Sequence, residues 1–320
     1  MLNLITDAWI PIITRAGARR VIAPAHMTDP DMWRPDWPRA DLNIACLELL
    51  IGLAYMSCPC ADLPSWRRSA ATPPDMHNSL APYAHAFELL GDGPRFLQDL
   101  EPLDGSPAPP DMLFIDSAGG NTAKNNADLA VHRDRYAALD LPLAAMALYT
   151  LQAHAPSGGA GNRTSMRGGG PLVTLIEPSP DCTLWDMIWA NVPYGTPAKP
   201  KDLPWMRATR TSKAKGTEVT PPGNLPYSIE AFFGMPRRLR LMATQDQITG
   251  VIQKPYGTNY ALWKHPLSPH YRLKSTTEWL PKHPKPGQFG YRNWLGIVSE
   301  AKNTDVAERA WIVSEAETRF

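Results

Sequence analysis

The chain has 320 residues, with 32 Lys and Arg against 31 Asp and Glu, a net charge of +1. That balance argues against a histone-like protein that binds polyanions with its whole surface, and leaves room for a local basic patch. Charged residues make up 20% and hydrophobic residues 43%, so the chain is not disordered and can bury a large core.

Proline, at 34 residues, favours extended and turning segments over long helices, and a loop-rich α+β globular protein is expected. In chain order, residues 2 to 14 read as a strand ending near Trp9-Ile10-Pro11. Asp41 to Met56 is the clearest helix: Leu42, Cys46, Leu49, Leu50 and Leu53 recur at helical steps, and Asp41 is placed to cap it. Pro59, Pro64, Pro73 and Pro74 break residues 57 to 75, and Leu80 to Leu90 reads as a short helix ended by Gly91 and Gly93. Gly105 to Pro110 is a linker, Leu113 to Asp116 is strand-like, and the polar run Ser117 to Asp128 is an exposed loop. A helix at 143 to 153 leads into a glycine-rich segment, followed by a strand-like run, Leu172 to Ile176, and a short helix, Leu184 to Ala190. Leu239–Met242, Ile248–Ile252 and Tyr260–Trp263 read as a small meander, turns dominate from Lys264 to Arg292, and Trp311 to Val313 reads as a last strand.

Cys46, Cys58, Cys60 and Cys182 form no disulfide framework and no zinc pair, and buried or idle thiols are the better reading. The start, MLNLITDAWIP, lacks the pattern of a signal peptide, and no run of about twenty apolar residues suggests a membrane span. A cytoplasmic, reducing location is the expectation.

The segment APSGGAGNRTSMRGGGP, Ala155 to Pro171, holds six glycines and two arginines in seventeen residues. Glycine permits close backbone approach, and arginine suits phosphate or base edges. A Walker loop would need a lysine where Asn162-Arg163-Thr164 follow Gly161, and a dinucleotide fingerprint would need glycine at Thr164. Neither H-E-x-x-H nor G-x-S-x-G occurs, and His265 and His270 read as structural turn residues. Basic clusters lie at Lys199, Lys201, Arg207, Arg210, Lys213 and Lys215, and again at Arg237, Arg238 and Arg240; a solvated face is the plain reading of each. On residue types alone, contact with a nucleic-acid backbone and a purely structural use of turns and ion pairs both stand.

The chain resembles the large subunit, CasA, of the type I-E CRISPR surveillance complex Cascade. The resemblance is carried by LITDAWIP, LELLIGLAYM, GPRFLQDL, LFIDSAGGNTAKNNAD, LQAHAPSGGAGNRTSMRGGGPLVTL, LPWMRATRTS, GMPRRLRL and WKHPLSPHYR. It implies a non-catalytic subunit, without cofactor or metal, whose partners are the other Cascade proteins, the CRISPR guide RNA and target double-stranded DNA, with no membrane. The subunit would recognise a short flanking DNA motif, the PAM, and help recruit a separate helicase–nuclease; docking without direct DNA contact is the alternative.

Residue by residue, the resemblance implies that Gly158, Gly159, Ala160 and Gly161 lie against the PAM minor groove, with Arg163 and Arg167 as phosphate contacts. It implies a lysine finger at Lys254, with Gln253 as the neighbour that a one-residue shift would select. Asn121, Lys124, Asn125 and Asn126 would belong to a loop that docks on the guide-RNA complex. Longer relatives carry a glutamine-bearing wedge and a C-terminal helical bundle, and residues 1–320 are read as the single N-terminal globular domain without them.

Overall fold

The structure is a computed structural model that describes all residues except 118–121, 123, 127, 129–131, 134, 157, 158, 160, 170, 171, 273–277, 284–293, 295 and 299–305. Strands β1 (Ile10–Thr14), β2 (Arg19–Ile22) and β3 (Met32–Pro35) form an antiparallel sheet in the order β2-β1-β3. Of the long strand expected over 2 to 14, only the last five residues pair in it.

Helix α1 (Ala40–Ser57) is the central element. Its apolar residues surround the axis rather than form one stripe, the pattern of a helix buried on all sides. By length and composition α1 could cross a membrane, but most of it is enclosed by the rest of the protein. Asp41 is not its cap: Arg39 holds that position, and Asp41 sits in the first turn paired with Arg39 at 2.8 Å.

Helix α2 (Leu63–Ala71) is absent from the sequence reading because Pro64 was read as a breaker. Proline is tolerated in a first turn, and here Asp62 and Ser65 close a capping box around it. Helix α3 (Met76–Leu80) starts on Asp75 and passes into a 3-10 turn (Ala81–Ala86), so the expected helix from Leu80 to Leu90 is displaced toward the N-terminus. Leu113–Asp116 is not a strand; Pro110–Leu113 is a 3-10 turn.

Strand β4 (Leu139–Asp140) leads into α4 (Leu141–His154), whose first turn is capped by Asp140 and contains Pro142. Helix α5 (Leu184–Ala190) and the short α6 (Glu230–Phe233) complete the helical layer around α1. Leu172–Ile176 has no partner strand among the described residues: the N–H groups of Leu172 and Thr174 reach Lys282 O and Leu267 O, and Ile176 N–H reaches the Asn191 side chain.

The second sheet is β5 (Arg238–Thr244) and β6 (Gln247–Lys254) with β4, in the order β4-β6-β5. Tyr260–Trp263 does not join it, because Leu262 adopts φ +65°, incompatible with an extended strand. A third small sheet pairs β7 (His270–Tyr271) with β8 (Leu280–Pro281) and β9 (Ala307–Glu308). The expected last strand is instead helix α7 (Trp311–Arg319). Arg319 anchors it by pairing with Glu315 at 2.6 Å and donating to Ala190 O and Val192 O.

All four cysteines are free; Cys46, Cys60 and Cys182 are buried and Cys58 is half-buried. The core is aromatic where α1, α4 and α6 meet: Phe87, Phe96, Tyr149, Trp205 and Phe233 pack mainly edge to face. Gly52 of α1 admits α6, since a Cβ there would stand 2.8 Å from Phe232 Cβ. Gly52→Ala gains about 1 kcal/mol of helix propensity but must force apart two close-packed helices, at about 1–3 kcal/mol. The backbone-proximal Phe232 Cβ cannot swing aside, so a net loss of stability is expected, read as a lower Tm in thermal denaturation.

Candidate nucleic-acid interface

The glycine segment leaves α4 at Ala155 and closes on itself when Ser165 N–H donates to Ala155 O at 3.1 Å. The described residues between them, Pro156, Gly159 and Gly161 to Thr164, therefore stand outside a fixed base. The first arm is held by Arg237, whose guanidinium donates to Pro156 O while its main chain exchanges hydrogen bonds with Gln152 of α4.

The far arm rests on the end of the β5–β6 hairpin. Tyr256 N–H donates to Gly161 O at 2.6 Å, and Gln253 Nε2 donates to Asn162 Oδ1 at 2.9 Å. Arg163 reaches sideways: its Nε donates to Ser212 Oγ at 2.8 Å, and Ser212 N–H donates to Tyr256 O at 3.1 Å. The loop, the hairpin end and the 212 segment thus brace one another.

The two described glycines of the proposed contact differ in kind. Gly161, at φ +81°, is pressed on the hairpin, and a Cβ there would lie 2.7 Å from Pro255 Cβ. Gly159, at φ +84°, faces open space: apart from its chain neighbours, no atom of a described residue lies within 4 Å of the position a Cβ would take. Gly161 builds the loop, and Gly159 leaves its tip bare. Gly158 and Ala160 lie outside the described residues.

Lys254 and Gln253 are adjacent in β6 and project to opposite faces of the strand. Gln253 faces the glycine loop, whereas the Lys254 ammonium lies 3.7 Å from where a Cβ on Gly105 would be. Lys254 is half-buried, and no ion-pair partner for it exists among the described residues.

The Arg167 assignment is corrected by its burial. Arg167 is 2% exposed, and its guanidinium meets Glu48 of α1 at 2.5 Å, so it cannot hold a phosphate at the surface. Around Glu48, which is fully buried, stand His265 at 3.3 Å and His154 at 3.6 Å. Burial pushes the Glu48 carboxyl upward, but the Arg167 charge and the nearby imidazoles outweigh it and hold the carboxyl well below the ordinary range. His265 and His270, read from sequence as turn residues, are buried core histidines. Burial first, and positive neighbours second, lower His154 and His265 to about 4 and His270 to about 3.

The second basic cluster is also structural. Arg238 pairs with Asp99 at 3.2 Å, Arg240 donates to Asp99 O, and Arg237 is buried. In the first cluster Arg207 and Arg210 both engage the buried Glu230, while Lys213 and Lys215 are exposed next to Ser212 in the chain. A cavity of about 580 Å³ opens beside those arginines, between Tyr55, Gly195 and Tyr227, with Glu230 offsetting their charge. It is lined by none of the glycine-loop residues. Among the described residues no group of three His, Cys, Asp or Glu is placed to hold a metal ion.

Of the polar loop, Lys124, Asn125 and Asn126 are exposed, and Asn121 lies outside the described residues. Its base is firm. Asp116 takes a bidentate bond from Arg135 and a further one from Arg39, and Phe114 stacks on Tyr136 at 4.9 Å. Hydrogen bonds from Arg135 and then Arg39 outweigh burial and lower the Asp116 carboxyl to about 2, so the clamp stays ionised across the neutral range.

The sequence does not single out Ser212 or Tyr256, which brace the glycine loop. The only local signal was the turn sequence Lys254-Pro255-Tyr256-Gly257.

The fold is a mixed α+β architecture of short helices and small antiparallel sheets, shared with the CRISPR-associated Cse1 structures. CasA (Cse1) of Thermus thermophilus matches at TM-score 0.71 with 18% identity, over 100% of this chain and 67% of that one. Cse1 of Thermobifida fusca matches at TM-score 0.69 with 19% identity, over 97% of this chain and 64% of that one. A chain of a CRISPR RNA-guided surveillance complex matches at TM-score 0.63 with 16% identity, over 98% and 68%. This chain therefore spans about two thirds of the length of those proteins. It belongs to the family of CRISPR-associated protein Cse1, whose profile matches residues 3–319.

The buried pair yields two expectations. Arg167→Met strands the Glu48 carboxylate and should cost about 3–5 kcal/mol in denaturant titration, whereas the double variant Glu48→Leu/Arg167→Met should recover much of it. Below about pH 6.5 the unfolded chain protonates His154, His265 and His270 while the fold keeps them neutral, to about 4, 4 and 3 respectively. The stability these neutral imidazoles contribute is whole above pH 6.5 and drains as pH falls toward 4, at about 1.4 kcal/mol per pH unit for each such histidine. Thermal scans from pH 8 to 5 should show Tm level above 6.5 and falling below it.

Proposed function

We propose that this chain is a non-catalytic, PAM-recognising subunit of a type I-E RNA-guided surveillance complex, acting in the cytoplasm in antiviral defence. Its partners are the other complex subunits, the guide RNA, target double-stranded DNA and a helicase–nuclease recruited after target binding. The observation that carries this reading is the open tip at Gly159 on a loop braced from below. The minor groove is about 6 Å wide, so bare main chain enters where side chains do not. A braced loop also enters without losing further conformational freedom, which would otherwise subtract from affinity.

In this reading Lys254 supplies a cation to the groove, and Lys213 and Lys215 replace Arg167 as phosphate contacts. Lys124, Asn125 and Asn126 dock on the guide-RNA complex from the Asp116 clamp. The surveillance-complex relative, which shares the fold, supports assembly with guide RNA and partner subunits.

The test uses complex assembled with guide RNA and titrated with target duplex. Asparagine tolerates the left-handed backbone that Gly159 adopts, so Gly159→Asn adds bulk at the tip with little strain. It should weaken target binding at least tenfold with guide RNA loading intact, and Lys254→Ala should weaken it roughly tenfold. Wild-type affinity in Gly159→Asn would leave a scaffold that docks without touching DNA. Wild-type affinity in Lys254→Ala with a loss in Gln253→Ala would move the finger to the strand face that meets the loop.

A further inference from the structure

Tyr256 is held in a conformation that its own packing does not need. It adopts φ +65°, an outlier for a bulky residue that persists only where its surroundings enforce it. Both neighbours enforce it: Pro255 abuts Gly161, and a Cβ on Gly257 would stand 2.0 Å from Pro236 O. Its own N–H and C=O are taken by Gly161 and Ser212. The strained backbone does not sink the ring into the core, because Tyr256 remains 39% exposed. The ring edge runs along Gly161, 3.4 Å from where a Cβ would be, so it borders the same bare main chain. No described residue bonds its hydroxyl.

Resting on the minor-groove reading above, we propose that Tyr256 is a specificity-determining residue whose phenol hydroxyl hydrogen-bonds a base edge in the minor groove of the flanking motif. A phenol both donates and accepts, so it can meet purine N3 or pyrimidine O2 as a donor and guanine N2 as an acceptor. Main-chain groups of the glycine loop and a flexible lysine are poor at choosing among base pairs. A rigid phenol beside them chooses by the position of its single oxygen.

Tyr256→Phe keeps the ring against Gly161 and removes only that oxygen. The assay measures the assembled, guide-loaded complex against target duplexes that differ only in the flanking motif. The variant should retain Tm and guide loading, lose roughly three- to tenfold affinity for the preferred motif, and leave affinity for the poorest motifs unchanged, so that discrimination narrows. Equal affinities of Tyr256→Phe and wild type across all motifs would overturn the inference and leave the ring as a prop for Gly161. A uniform loss across all motifs would overturn it too. Gly159→Asn in the same assay separates the two levels: if it weakens binding while Tyr256→Phe does not, only the role of Tyr256 falls.

Discussion

The buried pairing of Arg167 with Glu48 anchors the glycine segment to the core of the fold. Glu48 lies in the middle of the central helix α1, and Arg167 lies at the far end of the glycine segment. A carboxylate without exposure is tolerable only with a counter-charge in contact, and a buried guanidinium needs the same. Each residue makes the other affordable, and together they tie a glycine-rich loop to the most buried helix. His154 and His265 fill the remaining space as neutral imidazoles, which adds no positive charge to that of Arg167.

That anchor explains how a segment rich in glycine can be well placed. Glycine loses more backbone freedom on folding than any other residue, so such a loop is floppy unless its ends are held. Here one arm is held by Arg237 on Pro156 O, the other by Tyr256 and Gln253, and the closure is made by Ser165 on Ala155 O. Arginines that look like a nucleic-acid patch in sequence are mostly engaged within the protein: Arg163, Arg167 and Arg237 hold the glycine segment, Arg207 and Arg210 meet Glu230, and Arg238 and Arg240 meet Asp99. The charge left for a partner is small and local, in keeping with a net charge of +1. Recognition by shape at a bare tip fits that economy better than a broad electrostatic surface would.

The strain at Tyr256 belongs to the same design. Pro255 before it and Gly257 after it leave the backbone no other course, and the hydrogen bond to Gly161 couples that course to the loop. The hairpin end and the glycine segment, nearly a hundred residues apart in the chain, are joined by hydrogen bonds at Gly161 and Asn162.

The sequence alone determined what local chemistry determines. Helical spacing in Leu42–Leu53 gave α1, the apolar runs Leu239–Met242 and Ile248–Ile252 gave the cores of β5 and β6, and motifs spread along the chain, the long one over 155–171 among them, gave the family. It failed where a distant contact outweighs local preference. Trp311–Val313 reads as strand but is helical because Arg319 reaches Ala190 and Val192. Leu63–Ala71 reads as broken because Pro64 carries no mark of standing in a first turn. Arg163 and Arg167 are alike in sequence, four residues apart in one glycine-rich segment. Only tertiary structure leaves one half-buried against Ser212 and sends the other to Glu48 in the core. Whether an arginine is a ligand contact or a strut depends on whether a carboxylate waits for it across the fold, and that partner lies more than a hundred residues away.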